Sequence, residues 1–193
     1  MIEKLREKRE RARERGEPVL RDESFDLLLK TVEKYKPKKI LEIGTNEGLS
    51  GIAMLLTSKD AALTGIEIDE EKIRIAKENY KEFGLEDRAK IFSGDASEIL
   101  PVITGEYDFI FLDGPKGHYF EYSSFLLPIL KVGGVIFADN VLYRGMVEGK
   151  APHKHATIKN SMQNYLKAVT ENQNLSTTLY RIDDGVAITE KLK

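Results

Sequence analysis

Cysteine is absent from the 193 residues, which excludes disulfides and thiolate metal sites and makes a reducing cytoplasm the expected location. No apolar run approaches the length of a membrane span, and the opening MIEKLREKRERARERGE has no apolar h-region, so neither membrane insertion nor secretion is expected. Charge of one sign is lacking too. Lys plus Arg (30) nearly balance Asp plus Glu (32), and the formal charge of −2 leaves no global footprint for nucleic acid. An RNA partner would need a local basic patch. Internal repeats and low-complexity linkers are missing as well. What remains is 41% apolar and 32% charged residues, ordinary globular composition, at a length that fits one domain spanning 1–193.

Residues 1–17 read as a charged helical extension, with Arg6/Glu10 and Glu7/Arg11 at i,i+4 spacing, and a solvated helix is the expected outcome. Phe25, Leu28, Leu29 and Val32 predict a second helix over Ser24–Tyr35 that packs on a sheet and ends at Pro37. From there strands and helices alternate. Strands are expected at Lys39–Ile43, Ala62–Glu67, Ala89–Phe92, Tyr107–Leu112 and Val135–Ala138, the last opened by a turn at Gly133-Gly134. Helices fall between them at Leu49–Thr57, Glu70–Phe83, Ala96–Leu100 and Tyr119–Leu130. Such a βαβ series requires a parallel sheet with helices on both faces. A loop Val141–Pro152, a helix His155–Thr170 and two strands, Leu175–Arg181 and Gly185–Thr189, joined at Asp183-Asp184, add an antiparallel pair and complete seven strands.

Chemistry-bearing residues follow the strands. In LEIGTNEG, Gly44 ends a strand and Gly48 opens a helix, allowing backbone N–H groups to approach a ligand. The spacing is not the dinucleotide Gly-x-Gly-x-x-Gly, and Glu42 would repel a phosphate while favouring a cationic amino acid moiety, which fits S-adenosylmethionine. Glu67 ends the next strand, where such folds place a ribose-gripping carboxylate. Asp95 and Ala96 follow the third, facing an adenine edge, although Asp95 also suits a helix N-cap.

Asp113, Asp139 and Asn140 supply only oxygen donors at two further strand ends, which suits Mg²⁺ or Ca²⁺ over zinc or copper. Turn formation could account for each alone, but not for their convergence. Lys116 is the candidate general base. A divalent cation makes a bound hydroxyl more acidic, and a lysine beside it can take the proton; an ion pair with Asp113 is its plainer role. Tyr119, Tyr143 and Met146 lie near the same edge, as pocket lining or as packing. His118, His153 and His155 lack metal-ligand spacing and read as solvated, and Asp184 reads as part of the closing hairpin.

Taken in order, LEIGTNEG, GIEID, GDA, FLDGPKGHY, ADNVL and DDGVAI resemble the cation-dependent class I O-methyltransferases of the catechol and caffeoyl-CoA type, over about residues 18–190. The resemblance implies a Rossmann-like class I methyltransferase fold and methyl transfer from S-adenosylmethionine to a hydroxyl with Mg²⁺. It implies cofactor contacts from Glu42, Gly44, Gly48, Ser50, Glu67, Asp95, Ala96 and Asp113, a metal triad of Asp113, Asp139 and Asn140, and catalysis by Lys116. It also implies a homodimer. Through ADNVLYRGMVEG and the basic residues Arg144, Lys150, His153, Lys154, His155 and Lys159, the chain is most similar to the bacterial branch that methylates 5-hydroxyuridine at the tRNA wobble position. The expected acceptor is therefore the tRNA anticodon loop, with a small catechol-like or acyl-linked phenol as the alternative. The leading helix common in that family is absent here or replaced by the charged segment.

Overall fold

The computed structural model describes residues 1–150 and 152–193, so the predicted loop Val141–Pro152 contains one position, Ala151, outside the described residues. Two helices, α1 (Ile2–Glu14) and α2 (Asp22–Tyr35), precede the alternating series. It runs β1 (Lys39–Ile43), α3 (Leu49–Thr57), β2 (Ala62–Glu67), α4 (Glu70–Glu82), β3 (Ala89–Ser93), α5 (Ala96–Ile99), β4 (Tyr107–Leu112), α6 (Tyr119–Ile129) and β5 (Leu130–Asp139). Helix α7 (Ala156–Thr170), β6 (Leu175–Tyr180) and β7 (Val186–Lys191) close the chain. The strands form one sheet in the order β3-β2-β1-β4-β5-β7-β6. Strands β1 to β5 are parallel, and β7 runs antiparallel to both β5 and β6.

Period-two alternation distributes the core over both faces, as a sheet covered on each side demands. Phe109, Phe111, Val135 and Phe137 pack with residues of α1, α2 and α3, while Ile110, Leu112, Ile136 and Ala138 pack with α6 and α7. Each such side chain contributes roughly 1.5–3 kcal/mol on burial. These near-continuous apolar strands match the buried parallel type expected from the sequence.

Two expectations are corrected. Gly133 and Gly134 lie inside β5, which starts at Leu130. The glycines instead accommodate a register shift between Tyr107 and Phe109 of β4, and a Cβ at Gly134 would sit 3.0 Å from the Asp108 carbonyl oxygen. Helix α1 is also not merely solvated: Leu5, Arg9 and Ala12, one i,i+4,i+7 stripe, are buried. Instead of the expected helical pairs, Arg6 reaches Asp26, Lys4 and Lys8 both reach Glu82, and Arg13 reaches Glu10 and Asp22. Arg9 stacks 3.5 Å from the Phe25 ring centroid and donates to the Leu20 carbonyl at 2.5 Å. The charged segment thus anchors the 17–21 stretch between α1 and α2.

Candidate active site

Register brings the chemistry together. Ile43 pairs with both Ile66 and Leu112, Leu112 with Ala138, and Glu67 with Ser93, so the residues that follow these strands meet at one sheet edge. Gly44 makes the closest approach possible. With φ +86°, it packs so tightly on the next strand that a Cβ would sit 2.6 Å from the Asp113 carbonyl oxygen, and only glycine fits. Asn140 turns sharply out of β5 with φ +56°, a conformation that asparagine tolerates better than most side chains.

A cavity of about 610 Å³ opens at this edge. Gly44, Ser50, Glu67, Asp95, Ala96, Asp113, Lys116, Asp139 and Asn140 all line it. Glu42 and Gly48 do not. Gly48 caps α3 against the Tyr80 ring, and Glu42 is fully buried behind the loop, where burial first, then Asp113 and Glu67, push its carboxyl up to about 8. Both Glu42 oxygens and the hydroxyls of Thr45 and Tyr80 are buried with no hydrogen-bond partner by geometry among the described residues. The nearby Thr45 hydroxyl favours the ionised carboxylate, and burial outweighs it.

Backbone donors orient two of the lining carboxylates. Glu67 accepts from Asn46 N at 2.7 Å through one oxygen, and from Ile68 N and Asp69 N at 2.9 and 3.0 Å through the other, leaving lone pairs for a ligand hydroxyl. Asp95 accepts from Ser97 N at 2.8 Å and caps α5, and that bond holds its carboxyl below the usual range. Capping and a cavity position coexist.

At the other end, Lys116 Nζ donates to Asp113 Oδ1 at 2.6 Å and to the Tyr119 hydroxyl at 3.0 Å. The Tyr119 hydroxyl lies 2.9 Å from the Leu112 carbonyl and 3.1 Å from that of Asp139, so its one proton ties the ends of β4 and β5 together. Burial raises the Tyr119 phenol well above its ordinary value, and it stays neutral. Asp139 is only 3% exposed, its Oδ1 has no partner among the described residues, and burial, then Asp113, push its carboxyl to about 7.

An orphaned buried carboxylate oxygen facing a second carboxylate on the neighbouring strand fits a divalent cation. Asp113, Asp139 and Asn140 can supply its oxygen ligands. Among the described residues no group of three or more His, Cys, Asp or Glu could hold a metal; Asp113, Asp139 and Asn140 would offer two acids and an amide, a set that suits an ion that keeps solvent ligands. Tyr119 lies buried below the cavity, and Tyr143 and Met146 are not in its wall. His118 stacks on Tyr122 at 5.6 Å. His155 Nδ1 lies 3.3 Å from the Tyr143 hydroxyl.

Sequence reasoning missed one wall. Glu17, Pro18, Val19, Leu20 and Arg21 close the cavity from the N-terminal side, and Lys72 pairs with Glu17 at 2.5 Å. No local motif marks them, because tertiary contacts of α1 place them. Tyr122 also lines the cavity, 3.4 Å from the Ser97 hydroxyl.

Comparison with known proteins gives the family. A family model described as O-methyltransferase matches residues 1–192. The caffeoyl-CoA O-methyltransferase of Stellaria longipes is 34% identical over 139 residues, which cover 68% of this chain but only 56% of that enzyme, so the chain spans about half of that relative's length. A candidate caffeoyl-CoA O-methyltransferase structure from Staphylococcus aureus is 30% identical, with a TM-score of 0.88 over 97% of this chain and 91% of that one. The S-adenosylhomocysteine-bound methyltransferase PaMTH1 of Podospora anserina is 27% identical, with a TM-score of 0.84 over 97% and 87%. The match across nearly the whole sequence and the shared sheet place the conclusion beyond the site alone: this chain belongs to the O-methyltransferase family.

Proposed function

We propose that this chain transfers a methyl group from S-adenosylmethionine to a hydroxyl oxygen that has a second oxygen beside it, with Mg²⁺ at Asp113, Asp139 and Asn140. One observation carries the reading: the buried Asp139 carboxylate, with its Oδ1 orphaned, beside Asp113, and Lys116 Nζ 2.6 Å from Asp113. A dehydrogenase or a passive nucleoside-binding domain has no use for that set.

In this reading Glu67 accepts from the cofactor's ribose hydroxyls, while Asp95 and Ala96 meet the adenine between Ile68 and Tyr122. Glu42, kept largely neutral by burial, backs the glycine loop from outside the cavity wall, and a cationic amino acid end on the far side would favour its ionisation. A bound Mg²⁺ supplies Lewis acidity that makes the acceptor hydroxyl easier to ionise. Lys116 acts in its neutral form: the ammonium proton that faces Asp113 in the free protein goes to solvent first, and the amine lone pair, oriented beside Tyr119, then takes the hydroxyl proton. The freed oxygen lone pair forms the new O–CH₃ bond as the S–CH₃ pair returns to sulfur. Positioning the two reactants contributes on the order of 7–11 kcal/mol.

The relatives named above support a small phenolic or acyl-linked acceptor. A separate observation favours 5-hydroxyuridine in the tRNA anticodon loop: Arg144, Lys150 and Lys154 are exposed, with no ion pair among the described residues, beside the loop that follows Asn140. Incubation with labelled S-adenosylmethionine and either total tRNA or a catechol, followed by mass spectrometry, separates the two. A labelled methoxyuridine supports the tRNA acceptor, and turnover of the phenol alone supports the small one. Pairing of two copies belongs to the same proposal and is read by light scattering.

A further inference from the structure

Seven carboxylates line the cavity, from Glu17, Glu47, Glu67, Asp69, Asp95, Asp113 and Asp139. Against them stand three cations among the described lining residues, Arg21, Lys72 and Lys116. Two are engaged. Lys72 lies 2.5 Å from Glu17 and 3.7 Å from Glu47, and Lys116 is held by Asp113 and Tyr119. Arg21 differs: its guanidinium makes one ion pair, 3.3 Å from Asp184 Oδ2, and no hydrogen bond among the described residues. Most of the five donors of its planar fork thus remain free for a ligand.

Its position is fixed relative to the reaction end of the cavity. The carbonyl of Asp184 accepts from Leu142 N at 2.9 Å and that of Gly185 from Val141 N at 3.0 Å, so Arg21's partner is fastened to the residues directly after Asn140. The neighbouring Asp183 accepts from both Ser24 N and Ser24 Oγ, at 2.9 and 2.8 Å, clamping the hairpin tip to the start of α2 just beyond Arg21. Arg21 therefore stands at the acceptor side, away from Asp95 and Ala96.

We propose that Arg21 selects the acceptor by pairing with an oxyanion, a carboxylate or a phosphate, carried on the framework that bears the reacting hydroxyl. Resting on the methyltransferase reading, it adds a charge requirement that neither the metal donors nor Lys116 imposes. In the free protein Asp184 holds the fork in place, and the incoming oxyanion takes over as its counter-charge. Without Arg21, the surplus of carboxylates would disfavour any anionic acceptor.

The test pairs neutral and anionic acceptors: catechol with 3,4-dihydroxybenzoate, and 5-hydroxyuridine with its 5′-monophosphate, each assayed with Mg²⁺ and S-adenosylmethionine. For at least one pair, wild-type protein should favour the anionic member, and Arg21→Ala should lower that kcat/KM ratio about tenfold. The pair that responds distinguishes carboxylate from phosphate. Calorimetric binding of the anionic member to the S-adenosylhomocysteine complex should weaken by a similar factor, and Asp184→Asn, which frees the fork, should raise the ratio. Ratios unchanged in both variants would overturn the role of Arg21 while leaving the methyltransferase reading intact. No turnover of any of the four by wild-type protein would count against both.

Discussion

Lys116 Nζ lies 2.6 Å from Asp113 Oδ1, a contact that places the proposed base against a proposed metal ligand three residues earlier. The turn through Gly114-Pro115 makes this possible, because it reverses the chain straight after β4. If Lys116 moves a proton, charge alone will not replace it. Lys116→Ala and Lys116→Arg should both lower kcat by about 10²–10⁴-fold, since an arginine stays protonated. S-adenosylhomocysteine affinity measured by calorimetry should change little. A Lys116→Arg protein with wild-type kcat would remove the base from the mechanism.

Asp139 predicts a metal-linked stability. Saturating Mg²⁺ should raise the melting temperature of wild-type protein, by about 2.7 kcal/mol of stability at a hundredfold excess over Kd. Asp139→Asn should abolish that increment while leaving the metal-free protein as stable or more so, because a buried carboxylate with one unpartnered oxygen is lost. Differential scanning calorimetry with and without Mg²⁺ reads both. An equal increment in the variant would place the cation elsewhere.

Glu42 makes stability depend on pH. Its carboxyl is raised from an ordinary value near 4.5 to about 8, so between those limits the folded chain binds more protons than the unfolded one. The stabilisation is full below about 4.5 and disappears as pH rises through about 8. Glu42→Gln removes the dependence. Its melting temperature relative to wild type should climb from about pH 5 to about pH 8 and level off above that, by a difference on the order of a few kcal/mol in stability. Parallel pH profiles for the two proteins would show that Glu42 ionises freely.

Arg9 couples the charged N-terminal helix to the cavity proposed to hold the cofactor. Replacing it with Met keeps the apolar stem over Phe25 but removes the donor to the Leu20 carbonyl, at a cost of about 1–3 kcal/mol. Because Leu20 and Arg21 line the cavity, S-adenosylhomocysteine should bind several-fold more weakly in Arg9→Met. Unchanged affinity in a destabilised variant would confine Arg9 to a purely structural role.

Local pattern made the sheet legible. Apolar runs such as YDFIFL and VIFAD have one reading when glycine and acidic residues punctuate them, and the parallel register then places their ends together. Asp95, Asp113, Lys116, Asp139 and Asn140 could be placed at one edge for that reason. What escaped depended on distant contacts. Nothing local distinguishes a lysine and arginine helix in water from one whose Leu5, Arg9 and Ala12 stripe meets Phe25, so the 17–21 wall of the cavity was invisible. Glu42 looked like a ligand contact because it ends a strand. The alternation of β1 instead turns its side chain away from the cavity, toward Tyr80 and α3.

The central claim is that Asp113, Asp139 and Asn140 hold a cation where Lys116 deprotonates an acceptor hydroxyl. Its most direct measurement is mass-spectrometric detection of methyl transfer from labelled S-adenosylmethionine to catechols and to tRNA, with EDTA, with Mg²⁺ restored, and with Asp139→Ala. Labelled O-methyl product that vanishes with EDTA, returns with Mg²⁺ and is missing in the variant is the predicted result. Equal product in EDTA, or an Asp139→Ala protein working at the wild-type rate, would contradict it.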